Sequence, residues 1–132
     1  MLLGFDPGKD KCGVAVIGLD RQRQFLAVVP SSEAIAQIQD LLGKYPISLL
    51  VMGNLTTSKQ WQAKLKENFP NLLVVTVDES HSSQEARQRY WELYPPKGIM
   101  KLVPLGMRSP SRPVDDIVAI ILVERYLNRL VS

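Results

Sequence analysis

The 132-residue sequence predicts one α/β domain, a mixed five-stranded sheet with helices on both faces, in the order β-β-β-α-β-α-β-α-α. Three observations lead there. Before Pro30 lie three apolar runs separated by turn residues, as in an antiparallel meander. Two later apolar runs alternate with helix-spaced stretches, the β-α-β arrangement that gives parallel strands. A last helical pattern opens apolar on all sides, as in a helix buried against a sheet.

In chain order, Leu2 to Phe5 reads as a strand running into the turn Asp6-Pro7-Gly8. Gly13 to Ile17 is a second strand, Leu19-Asp20-Arg21-Gln22 turns it back, and Gln24 to Val29 completes the meander. Pro30 closes that edge. Ser31 and Ser32 are candidate caps for a helix from Glu33 to Gly43, with Ile35, Ile38, Leu41 and Leu42 on one face. Ile47 to Met52 is a buried-type strand ending at Gly53-Asn54. Thr56 or Thr57 caps a second helix marked by Trp61, Leu65 and Phe69, and Pro70-Asn71 breaks it. Leu72 to Val77 is the fifth strand. Ser82 and Glu85 form a capping box opening a third helix through Leu93. A helix from Asp115 to about Leu130 ends the chain.

The totals exclude several classes. Hydrophobic residues make up 45% and charged residues 22%, so the chain is neither disordered nor fibrous. No apolar run approaches the roughly 20 residues of a membrane span. Without a basic n-region or a cleavage site before Asp6, no secretory signal is expected. A single cysteine, Cys12, fits a reducing compartment, and the expected location is the cytoplasm. The expected assembly is a monomer or homodimer. Net charge is +3, a weak pull toward an anionic partner. Its distribution says more. Leu93 to Val114 holds no acid but carries Lys97, Lys101, Arg108 and Arg112. With five prolines and two glycines from Tyr94 to Pro113, this stretch reads as a mobile basic loop, either solvated or contacting phosphate.

Three carboxylates stand where element ends would expose them. Asp6 follows the first strand, Glu79 follows the fifth, and Asp115 and Asp116 open the last helix. Ligands of open α/β sheets gather at the carboxyl ends of strands, so Asp6 and Glu79 are placed to meet. Hard divalent ions such as Mg²⁺ and Mn²⁺ take carboxylate oxygens together with water and phosphate. Singly, each acid also suits a turn or a helix cap.

The motifs resemble a known family. Leu3-Gly4-Phe5-Asp6-Pro7-Gly8, followed by Cys12-Gly13-Val14-Ala15-Val16, resembles the opening of RuvC-type Holliday junction resolvases. It is still more similar to a small bacterial family known both as Holliday junction resolvases and as pre-16S ribosomal RNA nucleases. Leu50-Val51-Met52-Gly53 resembles that family's strand ending V-G-L-P. Val77-Asp78-Glu79 with Ser83-Gln84-Glu85-Ala86-Arg87 resembles its D-E-R-x-(S/T)-(S/T)-x-E-A, and Val114-Asp115-Asp116-Ile117-Val118-Ala119 resembles the start of its last helix. The resemblance spans nearly the whole chain. It implies an RNase H-like fold and a Mg²⁺- or Mn²⁺-dependent nuclease acting on structured RNA or branched DNA. It implies that Asp6, Glu79 and Asp115 bind metal and promote hydrolysis. Counting back from Tyr126 selects Asp115 and counting back from Ala119 selects Asp116, which stays as a possible further ligand.

The sequence also departs from the pattern. Ser80 stands where the family has arginine, the first loop reads Gly8-Lys9-Asp10-Lys11-Cys12-Gly13, and Asn54-Leu55 replaces Leu-Pro. A lost arginine is a lost bidentate phosphate contact. A degenerate nucleic-acid or protein binding module is therefore a rival reading. An actin-like nucleotide-binding domain is a third, for which the chain is too short. Lys9 and Lys11 flank the first acid as candidate phosphate contacts, alongside Lys97, Lys101, Arg108 and Arg112. His81 is read as an exposed loop residue, Cys12 as buried and inert, and Trp61, Trp91 and Tyr94 as core anchors rather than base-stacking platforms.

Overall fold

The structure is a computed structural model that describes residues 1–55, 57–95, 101–104 and 113–131. Its elements are β1 (Leu2–Asp6), β2 (Lys11–Ile17), β3 (Arg23–Pro30), α1 (Ala34–Lys44), β4 (Leu49–Gly53), α2 (Ser58–Asn68), β5 (Leu73–Val77), α3 (Ser82–Leu93) and α4 (Asp115–Val131). They form one sheet of order β3-β2-β1-β4-β5. β1, β2 and β3 pair antiparallel, and β1, β4 and β5 pair parallel. This is the mixed sheet that the sequence predicts. The Tyr94 to Pro113 loop falls mostly on residues outside the described ones. Residues 101–104, which are described, carry no strand.

Strand alternation sorts the core into two layers. Leu3, Phe5, Val14, Val16, Leu50 and Met52 face α1 and α2, meeting Ile38, Leu41 and Leu65. Leu2, Ala15, Ile17, Leu49 and Val51 face the other way, onto α3 and α4, meeting Ala86, Tyr90 and the run Ile117 to Val123. Neighbouring residues of one strand thus serve opposite layers, and a one-residue register slip would exchange both.

The α4 face is closed by glycines. A Cβ on Gly4 would collide with the carbonyl oxygen of Ala119, and one on Gly13 with that of Asp115. Both strands therefore let the α4 backbone lie directly on them. α3 is fastened to α4 by charge. Arg89 donates from Nη1 and Nη2 to the two carboxylate oxygens of Glu124 at 3.2 and 3.0 Å, and Arg125 Nη2 donates to Glu85 Oε1 at 3.2 Å.

Local signals fare less well at helix starts. Ser31 lies in a 3₁₀ turn, Ser31–Glu33, ahead of α1. Its hydroxyl donates to the Gly8 carbonyl at 2.8 Å instead of capping. The N-cap of α1 is Glu33, with no side-chain cap bond. The capping box at Ser82 does not form either. His81 is the N-cap, in the left-handed region at φ 61°, and Ser82 is already helical, while Glu85 is drawn to Arg125. Thr57 is the N-cap of α2 without a side-chain cap bond, and Thr56 lies outside the described residues. β2 begins at Lys11 because backbone pairing with Pro30 extends the ladder beyond the apolar run.

Candidate active site

The parallel strands β1, β4 and β5 end on one rim of the sheet, and the N-terminus of α4 sits over it. Asp6 is the last residue of β1, paired with Gly13 of β2. It shares its face with Gly4, which meets α4. Asp115 is the first residue of α4, and its backbone rests on Gly13. Glu79 follows β5 by two residues. Its carboxylate packs against Gly53, the last residue of β4, where a Cβ would collide with it, and Glu79 Oε1 accepts the Leu55 N–H at 2.9 Å.

These acids act on one another. Burial, the charges of Asp115 and Glu79, and a hydrogen bond with the Asp115 carboxyl push the Asp6 carboxyl up to about 7. Asp6 therefore keeps its proton, because a carboxylate is costly to form in a buried place beside other acids. Among the described residues no lysine or arginine counters the shift at Asp6. The donor set, hard oxygens with uncompensated negative charge, fits a hard divalent cation. Among the described residues, no three His, Cys, Asp or Glu side chains are gathered closely enough to enclose an ion.

The other sequence candidates fall in different places. Asp116 is buried, and its Oδ1 accepts the Ile117 N–H at 2.9 Å. Lys9 and Lys11 are exposed beside the rim, and Lys101 is exposed. Lys97, Arg108 and Arg112 lie outside the described residues. His81 is exposed. Ser80 folds onto its own loop, donating from N and Oγ to the Asp78 carboxylate at 3.1 and 2.8 Å, and these bonds hold Asp78 below the usual carboxylate range. Cys12 is buried, with Sγ 3.4 Å from Ser31 Oγ. Trp61 and Trp91 are half-buried, and Tyr94 is exposed, its ring tilted on Tyr90 at 5.0 Å.

Two contributors were missed by reading residues singly. Arg125 Nη1 donates to the Asp78 carbonyl at 2.8 Å, tying the loop that carries Glu79 to α4. Gly53 makes room for Glu79. A glycine ending a buried strand signals close approach, but its partner is not written in the local sequence.

Comparison with known proteins agrees in extent. A family model described as RuvX, Holliday junction resolvase, matches residues 1–129. A protein of Parabacteroides distasonis named "Putative pre-16S rRNA nuclease" is 25% identical over 138 residues, covering 96% of this chain and 93% of the relative. One of the same name from Porphyromonas gingivalis is 25% identical over 139 residues, covering 96% and 95%. Among solved structures, RuvC of Thermus thermophilus covers 98% of this chain and 95% of that one, at 13% identity and a TM-score of 0.49. Matched along nearly its whole length, from residue 1 to residue 129, this chain belongs to the RuvX Holliday junction resolvase family.

Proposed function

We propose that this protein is a metal-dependent nuclease hydrolysing phosphodiester bonds in structured nucleic acid, with Asp6, Glu79 and Asp115 as its catalytic carboxylates. The supporting observation is the crowding of acid at the rim, where burial, Asp115 of α4 and Glu79 beyond β5 raise Asp6 and, among the described residues, no cation offsets them. Asp6, Glu79 and Asp115 would hold Mg²⁺ or Mn²⁺. Bound there, such an ion would supply a more acidic water and charge stabilisation at the phosphate. With a cation held there, Asp6 would give up the proton that burial and its acidic neighbours make it keep. Asp116, whose Oδ1 accepts the Ile117 N–H, is the proposed further ligand. Lys9 and Lys11 flank the rim, and they, with Lys97, Lys101, Arg108 and Arg112, are the proposed phosphate contacts.

A ribosomal RNA precursor is the first substrate to try, given the names of the relatives, and a four-way DNA junction the second. Each is incubated with the protein and Mg²⁺ or Mn²⁺. Cleavage of one of them, lost in Asp6→Asn and Glu79→Gln while binding persists, is the expected result. The rival reading, motivated by Ser80 in place of an arginine and by the altered first loop, is a binding module whose site has decayed. Tight binding by the wild type without cleavage under either ion would favour it.

A further inference from the structure

A cleft of about 640 Å³ opens beside the carboxylate rim, toward the α1/α2 side of the sheet, lined among others by Lys9, Ser31, Thr57, Gln60, Trp61 and Lys64. Among the described residues two cations, Lys9 and Lys64, line it and no acid does. Its walls are fixed. The Ser31 N–H donates to the Asp10 carbonyl at 2.9 Å and its hydroxyl to that of Gly8, so the loop carrying Lys9 is pinned to the start of α1. Trp61 meets Phe5 edge to face at 5.1 Å, and Phe5 directly precedes Asp6 in β1. Lys64 Nζ lies over the indole, 4.8 Å from its centre. Thr57, the N-cap of α2, makes no side-chain cap bond. The volume lies in the range that small-ligand sites occupy.

We infer that this cleft binds one unpaired nucleotide of the substrate strand, its phosphate between Lys9 and Lys64 and its base against Trp61. The inference rests on the nuclease reading for the neighbouring site. The loop from Asp6 to Lys9 borders both sites, with a reach of about 10 Å at most, so one strand can occupy the cleft and the carboxylates together. A base stacked within a duplex cannot offer its face to an indole, whereas an unpaired base can. The ammonium of Lys64 is free to leave the indole for the incoming phosphate, where a charge-assisted bond is stronger. Neither Trp61 nor Lys64 is needed to hold the carboxylates.

Tryptophan emission tests this directly, because the chain has only Trp61 and Trp91. A Trp91→Phe protein is titrated, in EDTA, with short unpaired RNA and DNA oligonucleotides and with a blunt duplex of the same sequence. The unpaired strands should quench Trp61 and the duplex should not. Lys9→Gln with Lys64→Gln, both at exposed positions, should weaken unpaired-strand binding on the order of tenfold and lower the salt slope by about one to two. Trp61→Leu should weaken it about tenfold. Saturable binding without quenching, equal quenching by the duplex, or an unchanged affinity and slope in the double lysine variant would overturn the inference. Cleavage assays separate the two readings. A protein that cuts without quenching loses the cleft and keeps the nuclease. One that quenches but never cuts keeps the cleft and loses the nuclease.

Discussion

The two faces of this sheet are packed by different means, and the difference locates the chemistry. Toward α1 and α2 the contact is made by side chains, Phe5, Val14, Val16 and Met52 against Ile38, Leu41 and Leu65. Toward α4 it is made partly by backbone, with Gly4 and Gly13 admitting the helix to direct contact. Side-chain packing holds a helix at a distance and tolerates substitution of like volume. Backbone packing fixes the helix start closely, and Asp115 is that start. The first face supplies ordinary stability. The second also sets an acid from α4 against an acid from β1.

The largest effect expected from breaking this contrast is on cleavage. Asp6→Asn removes one negative charge at nearly constant volume, so cleavage should fall by several orders of magnitude while nucleic-acid binding survives. Glu79→Gln and Asp115→Asn should behave alike, and Asp116→Asn should do less. Cleavage kinetics on one substrate settle the ranking. If Asp116→Asn is as damaging as Asp115→Asn, the ligand set is misassigned.

Next in size is the pH dependence of the metal-free fold. Asp6 titrates at about 7 in the folded chain against 3.8 for an ordinary aspartate, so the folded state binds that proton more tightly than the unfolded state. Its contribution to stability is fully present below about pH 4. It is lost as pH rises through 7, where folded Asp6 must ionise in a buried place and against Asp115 and Glu79. The difference corresponds to about 4 kcal/mol at most. Melts in EDTA from pH 5 to pH 8 should show the wild type losing stability relative to Asp6→Asn, and Mn²⁺ should erase the loss. Parallel curves for the two proteins would mean that the carboxylates do not meet.

A third comparison sets one face against the other. Ile38→Ala leaves a cavity between α1 and the sheet and should cost about 2–5 kcal/mol, with cleavage per folded molecule unchanged. Gly53→Ala places a methyl where the Glu79 carboxylate sits. It should cost less stability than Ile38→Ala, yet lower cleavage on the order of a hundredfold. Urea midpoints measured beside cleavage rates separate the two. Equal losses of rate would show that the glycine merely packs the fold.

Most of the sheet was legible because each strand is an apolar run bounded by turn residues, and alternation alone assigns Leu3 and Phe5 to the layer opposite Leu2. Helix starts were not. A serine near a helix start can serve the nearest unsatisfied carbonyl, and Ser31 chose that of Gly8 over a cap. Asp6 and Glu79 could be placed on one rim from strand ends. The resemblance favoured Asp115 over Asp116, while the contact of the α4 backbone with Gly13 could not be read from the local sequence. Lys64 escaped notice because the loop that completes its cleft is far away in sequence, and solvated lysines on a helix look alike.

Two arginines give the finest comparison, since both tie α3 to α4 but only one reaches the rim. Arg89 spans to Glu124. Arg125 holds Glu85 with one nitrogen and the Asp78 carbonyl with the other, one residue before Glu79. Partly exposed ion pairs contribute on the order of 1 kcal/mol or less, so Arg89→Met and Arg125→Met should each lower Tm by only a few degrees. Their effects on cleavage should part. Arg125→Met frees the loop backbone at Asp78, and a shift of about 1 Å in Glu79 is enough to cost on the order of tenfold or more in rate. Arg89→Met leaves that loop tied and should keep cleavage near the wild-type level. The loss in Arg125→Met should fall on kcat and on apparent Mn²⁺ affinity rather than on KM, because a positioning residue alters the catalytic acid and not substrate contact. If both variants lose cleavage equally, Arg125 only fastens α3 to α4 and Glu79 is positioned by Gly53 and Leu55.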